Sequence, residues 1–389
     1  MSVDERVAPG STTSLRASNQ RRVLDLLLAR GNALATQADI TRETGLAAGT
    51  VSSIVRQLAA ADIVSTVAGA GRRGTTVQLA RGAGLVVGID FGHSHLAVAV
   101  GDMAGQILGE AREPIDSGHL HDDGLARAVA LLDRLLAEVD ATRAEVRNIG
   151  MGLPAPISED LVMSSAILPG WVGVNAREAA AQAFGVAVHI ENDANLGALA
   201  EHRRGSGRGH DNVVFVKVSS GVGAGLIINN LLFGGARGTA GEIGHLTLDE
   251  QGPLCRCGSR GCLEAYAATG TAQAMMAEQM PGAAIDEIID AARHGNVSAL
   301  RVFEDAGLHL GWGLAAVTNL VNPGVIVVGG DMSRAGDLLL DSARQSLRRH
   351  VLAGAAATPV VVASLGDRSS VVGALVLAIE ATDLLPEAS

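Results

Sequence analysis

The sequence predicts an α/β protein of two or three domains: a small basic helical unit, then a larger acidic body with a structural metal site. Three observations carry this. Of 389 residues, 48% are apolar and 18% charged, and many of the 49 glycines lie beside apolar runs. That pattern suits packed cores and tight strand-to-helix turns. Charge is divided: residues 1–85 hold ten Arg against six Asp or Glu (+4), and the remainder holds twenty Lys or Arg against thirty-five acids (−15). A basic head on an acidic body fits a nucleic-acid reader joined to another module. Finally, every cysteine (Cys255, Cys257 and Cys262) falls within eight residues. An odd, clustered set of thiols is no disulfide framework and points to a metal. The polar N-terminus has no apolar signal core, and no run approaches the ~18 apolar residues of a membrane helix. The expectation is a soluble cytoplasmic protein with no membrane partner.

The head spans residues 1–82. Val23, Leu24, Leu27 and Leu28 form one helical stripe. Thr36 and Asp39 make a T-x-x-D helix start, and Gly45 ends a short helix. Val51, Ile54, Val55 and Leu58 then repeat at i, i+3, i+4 and i+7, the buried face of a second helix. Its outer face carries Thr50, Ser52, Ser53, Arg56 and Gln57, small and polar groups suited to base edges and phosphates. Ala47 stands where a Ser or Thr cap is expected. Two strands around a Gly-rich tip with Arg72 and Arg73 follow. Together these describe a winged helix-turn-helix, with the arginines set to grip phosphate or a narrow minor groove. The alternative is a plain helical bundle with a solvated arginine loop. Residues Ala80 to Gly84 read as a linker.

In the body, three apolar strands end in Gly-rich turns: Asp90-Phe91-Gly92, Ser219-Ser220-Gly221-Val222-Gly223 and Gly329-Gly330. Far apart in sequence, they are placed to surround one cleft and cradle phosphate, or simply to reverse the chain. None is a Walker A loop or a dinucleotide fingerprint. Asn192-Asp193 follows a strand at a helix start. The pair suits either sugar hydroxyls, with Asp193 as a base, or an ordinary helix cap.

His245, Cys255, Cys257 and Cys262 give H-x9-C-x-C-x4-C. Zn²⁺ prefers four N or S ligands, and a closed Cys3His set is structural. Gly252, Gly258 and Gly261 let the chain wrap one ion. The alternative is three buried, inert thiols. The metal would clamp a loop from Glu242 to Glu264.

At this point the chain resembles the ROK family (repressor, open reading frame, kinase). "GTAGEIGHLTLDEQGPLCRCGSRGCLEAYA" is the most specific stretch, and "ENDAN" and "NPGVIVVGG" also match. The resemblance implies an actin-like ATPase-type fold of two α/β lobes (83–191 and 192–369), with a last helix, about 370–389, returning to the first lobe. It implies sugar contacts from Asn192, Asp193, Glu242, His245 and Glu264, with Asp193 as base in a kinase. It also implies a homodimer or larger homo-oligomer that binds operator DNA and a sugar or sugar-phosphate effector. Nucleotide contacts would fall on Asp90, Gly92, Ser220, Gly221, Gly223, Gly329 and Gly330. Sugar kinases of the family carry D-x-G-G-T at the first loop, and here it reads Asp90-Phe91-Gly92-His93-Ser94. An imidazole in place of that Gly argues against ATP, Mg²⁺ and strong kinase activity. The expected function is a sugar-responsive transcriptional repressor, with an ATP-dependent sugar kinase as the alternative.

Overall fold

The structure, a computed structural model, describes residues 12–31, 33–67, 75–116, 118–163 and 168–385. The wing-tip arginines Arg72 and Arg73 lie outside the described residues.

The head is built from α1 (Thr12–Arg30), β1 (Ala35–Thr36), α2 (Gln37–Thr44), α3 (Ala48–Ala60), β2 (Val64–Val67) and β3 (Thr76–Leu79). Thr36 and Asp39 form a reciprocal capping box at the start of α2, and Gly45 takes the left-handed conformation (φ 68°) that ends it. Val51, Ile54, Val55 and Leu58 are the buried face of α3, whose cap position, Ala47, makes no side-chain bond. β1, β3 and β2 form a three-stranded antiparallel sheet.

The first lobe comprises β4 (Leu85–Phe91), β5 (His95–Asp102), β6 (Ile107–Pro114), α4 (His121–Glu138), β7 (Val146–Leu153), the short β8 (Ile157–Ser158) and β9 (Leu161–Val162), α5 (Ala176–Phe184) and β10 (Val188–Asn192). Its sheet order is β10-β7-β4-β5-β6. Central β4 is buried throughout, and edge strand β6 alternates with polar residues, as position in a sheet requires. After α6 (Asp193–Arg204) comes the second lobe: β11 (Val213–Val218), β12 (Val222–Ile228), β13 (Leu231–Leu232), α7 (Glu264–Ala267), α8 (Thr269–Met276), α9 (Ile285–Arg293), α10 (Val297–Val321), β14 (Val325–Gly329), α11 (Asp337–His350) and β15 (Val360–Val362). Its order, β13-β12-β11-β14-β15, repeats that of the first lobe. In both, an antiparallel meander is extended by two parallel strands.

α12 (Ser369–Glu380) closes the chain and ends well before residue 389. It packs on β4, β5 and β7, and α6 packs on β11 and β12. The two helices lie against each other, so the layers run first sheet, α12, α6, second sheet. The approach is close because Gly373 has no side chain: a Cβ there would land on the carbonyl oxygen of Leu196. Gly373→Val should therefore destabilise the body by about 3 kcal/mol or more through overpacking, read as a lower urea midpoint.

One expectation is corrected. Ala80 to Gly84 is no free linker. Arg81–Ala83 forms a 3-10 turn with Ala83 buried, and Arg81 donates to the carbonyls of Val139 and Asp140. The head shares one apolar core with the first lobe: Val23, Leu24 and Leu27 of α1 join Ala97, Ala99, Met103, Val371 and Leu375. The head is thus docked against α12 and the face of β5 that α12 covers.

Candidate functional site

A cavity of about 970 Å³ lies between the two sheets. Asp90, Gly92, Asn192, Asp193, Ser220, Gly221, Gly223, Glu242, His245, Glu264 and Gly330 all line it, so the three glycine turns do converge. Gly329 does not line it; it packs against Phe215.

Each side chain is held by its element. Asn192 caps α6: its Oδ1 accepts from the amides of Ala194 and Asn195, at 2.9 and 3.3 Å, and its Nδ2 donates to Ala155 O at 3.1 Å. One amide N–H remains for a ligand. Asp193, the first residue of α6, is buried, and its Oδ2 accepts from Lys217 Nζ at 2.7 Å. The same ammonium donates to Ser370 Oγ at 3.2 Å, at the start of α12. Burial opposes the charge on Lys217, but Asp193 and Asp90 outweigh it and hold its pKa above the usual lysine range. Asp90 is buried too, which favours its neutral form. Lys217 and a 3.0 Å bond from His95 Nε2 outweigh that and keep its pKa low. The other oxygen, Oδ1, is buried with no hydrogen-bond partner.

At the first loop the sequence drew attention to His93. The structure leaves His93 exposed at the cavity and puts His95 over Gly92 instead, where an added Cβ would collide with the His95 imidazole. At the second loop the Val222 N–H is already committed to Glu264 Oε2 at 3.1 Å. Glu264 Oε1 accepts from Arg256 Nε at 2.7 Å, and Arg256 also reaches Ser220 O. Glu242 is pushed toward its neutral form by burial.

His245, Cys255, Cys257 and Cys262 gather so that one ligand atom from each lies within 4.8 Å of every other. Cys257 and Cys262 sulfurs are 3.7 Å apart, and His245 Nδ1 is 3.9 Å from Cys255 Sγ. Zn–S bonds of about 2.3 Å at tetrahedral angles put sulfurs about 3.8 Å apart, so the donor set fits zinc. Burial, helped by the neighbouring Cys257 and Cys262 thiols and the charge of Glu264, pushes the Cys255 thiol up to about 12, so its ligation as thiolate needs the pull of a cation. His245 Nε2 faces Glu242 at 3.9 Å, linking the metal cluster to the cavity.

Lys217, His95 and Arg256 escaped the sequence reading. A signal existed for the first: Lys217 is the only lysine among thirty Lys or Arg residues.

On the head, Arg56 is exposed and Thr50, Ser52 and Ser53 are half-buried along α3. Gln57 Oε1 accepts from Gln20 of α1 at 3.0 Å, so its amide is partly engaged inside the head. Arg30 and Arg42 pair with Glu43 and Asp39, and Arg22 donates to Thr44 O. Much of the head's positive charge therefore has internal partners.

Residues 16–65 match the winged helix-turn-helix DNA-binding family, and residues 86–381 match the ROK family. The xylose repressor of Bacillus subtilis (strain 168) is 28% identical over 345 residues, covering 87% of this chain and 88% of that protein. The glucokinase of Streptomyces coelicolor is 32% identical over 321 residues, covering 76% of this chain and 98% of the enzyme. A crystal structure of a ROK family transcriptional regulator, a homolog of the E. coli MLC protein, shares the fold with a TM-score of 0.78 at 24% identity, over 93% of this chain and 96% of that one. On the match across residues 86–381, the chain belongs to the ROK family.

Proposed function

We propose that this protein is a sugar-responsive transcriptional repressor: α3 and the wing bind operator DNA, and a neutral sugar binds between the lobes. One observation carries the reading. A DNA-binding head is fused by a common apolar core to the lobe that forms one wall of the cleft. The similarity to the xylose repressor extends into the head, whereas similarity to the glucokinase covers a smaller share of the chain.

Asn192, Asp193, Glu242 and His245 would hold the sugar hydroxyls. Seven carboxylates line the cavity against four Arg or Lys, a balance that favours an uncharged sugar over a phosphorylated one. Zinc on His245, Cys255, Cys257 and Cys262 would tie down the loop that carries Glu242 and Glu264, a structural role. α12 is the physical link to the head. It starts at the cleft with Ser370, and just beyond its end Asp383 pairs with Arg21 of α1 at 2.5 Å. In a homodimer, closure of the lobes would move the two heads relative to each other and change operator affinity.

The test is a thermal-shift series with D-xylose, D-glucose and their phosphates, each with and without Mg-ATP. A ligand that binds only the folded state raises the melting temperature. The expected result is stabilisation by a neutral sugar with no added effect of Mg-ATP. Stabilisation by Mg-ATP together with ADP release would favour a sugar kinase instead.

A further inference from the structure

Lysine is used once in this chain, and arginine supplies every other fixed side-chain cation. The one place is the second lobe's central strand, facing the cleft. Arginine's planar fork suits bidentate contacts, whereas an ammonium is a compact charge with three rotatable donors. Here two of those donors go to Asp193 Oδ2 and Ser370 Oγ. Asp90 lies within the field of the same ammonium and keeps one buried oxygen without a partner. Two buried carboxylates facing one cavity call for a cation between them. In a phosphotransferase that cation is a divalent metal carrying nucleotide phosphates. The residues present do not fit such a pair: the ammonium already neutralises the carboxylates, and the His95 imidazole fills the space over Gly92 where phosphate would approach.

We propose that Lys217 is the resident cation of the cleft, holding Asp90 and Asp193 in place of a divalent metal so that a neutral sugar binds without Mg²⁺ or nucleotide. The ammonium positions Asp193 for the sugar and draws together β11, α6 and α12. This rests on the reading of the cleft as a sugar site, and its test separates the two.

The experiment uses the intact, zinc-loaded chain. Affinity for D-xylose and D-glucose is measured by calorimetry with and without Mg²⁺. Mn²⁺ binding is followed by electron paramagnetic resonance in the wild type, Lys217→Ala and Lys217→Ala/Asp90→Asn. The wild type should bind sugar equally well with or without Mg²⁺ and should show no Mn²⁺ in the cleft. Lys217→Ala should lose at least about tenfold in sugar affinity, since a buried charge pair is broken. It should gain a Mn²⁺ site that the double variant lacks, and Mn²⁺ or methylammonium should restore sugar binding. A purely structural lysine would not be replaced by a free cation. Sugar affinity that rises with Mg²⁺ in the wild type would overturn the proposal, as would wild-type affinity in Lys217→Ala without added cation. Failure of rescue would count the same way. If Lys217→Ala does not fold, the wild-type Mg²⁺ comparison decides alone. If neither sugar binds the wild type, the repressor reading fails, and the Mn²⁺ arm still decides the role of Lys217.

Discussion

Cys257→Ser is expected to lose zinc and to loosen the second lobe as a unit. The segment from Glu242 to Glu264 has little regular structure of its own: a 3-10 turn and two isolated bridges, Thr247 with Cys262 and Leu254 with Arg260. Yet Ile243 and Leu263, at its two ends, are buried in the lobe's main core with Phe303, Leu310 and Leu314. Zinc bound by the four donors would hold those ends together, and structural zinc binding is worth about 10–16 kcal/mol in small zinc domains. Only part of that appears as stability in a preformed lobe, so a loss of several kcal/mol is expected. Cys257 is exposed, whereas Cys255 and Cys262 are buried. Its replacement therefore removes a ligand without opening a cavity, and any destabilisation reports the metal. Metal analysis and calorimetry of the two proteins check this. Zinc-free wild-type protein of undiminished stability would refute the site.

Asp193→Ala is expected to cost about 3–5 kcal/mol of stability, because it leaves a buried ammonium unpaired. Lys217 Nζ would keep only Ser370 Oγ, with Asp90 as the remaining charge nearby. Loss of sugar response in that variant would therefore mix unfolding with loss of contact. Asp193→Asn keeps the shape and a hydrogen-bond acceptor, and should lose sugar response while folding and binding operator DNA. Asp193→Asn/Lys217→Met removes both charges and should recover much of the stability, since replacing a whole buried pair is far less costly than breaking it. Urea unfolding of Asp193→Asn, Lys217→Met and the double variant gives the coupling between the two residues directly. Additive effects would show that the pair does not act as a unit.

Local signals in the sequence were strong where the chemistry is local. The Thr36–Asp39 capping box, the Gly45 stop and the stripe Val51, Ile54, Val55, Leu58 each depend on residues a few positions apart, and each appears as read. The spacing of His245 and the three cysteines likewise encodes a small loop. What stayed hidden depends on distant packing. Lys217 sits in an apolar strand and reads as an ordinary alternating polar residue; only the fold brings it to Asp193, 24 positions away, and Ser370, 153 away. The sequence does not distinguish His95 from His93, because which imidazole covers Gly92 is set by the pairing of β4 with β5. The segment Ala80 to Gly84 has the composition of a linker, and its burial comes from the shared core of head and lobe. Asn192 takes the helix-cap role on α6 and still keeps one amide N–H at the cavity, so the cap does not preclude a sugar contact.

The central claim is that sugar in the cleft governs DNA binding by the head. Its most direct test is fluorescence anisotropy of the full-length protein on DNA from upstream of its own gene, titrated with the neutral sugar that raises its melting temperature. The expected result is tight, salt-sensitive binding, since phosphate contacts release counterions. The sugar should weaken this binding, and Asp193→Asn should abolish the effect. Operator affinity unmoved by a sugar that demonstrably binds, or sugar phosphorylated at the expense of ATP, would contradict the central claim.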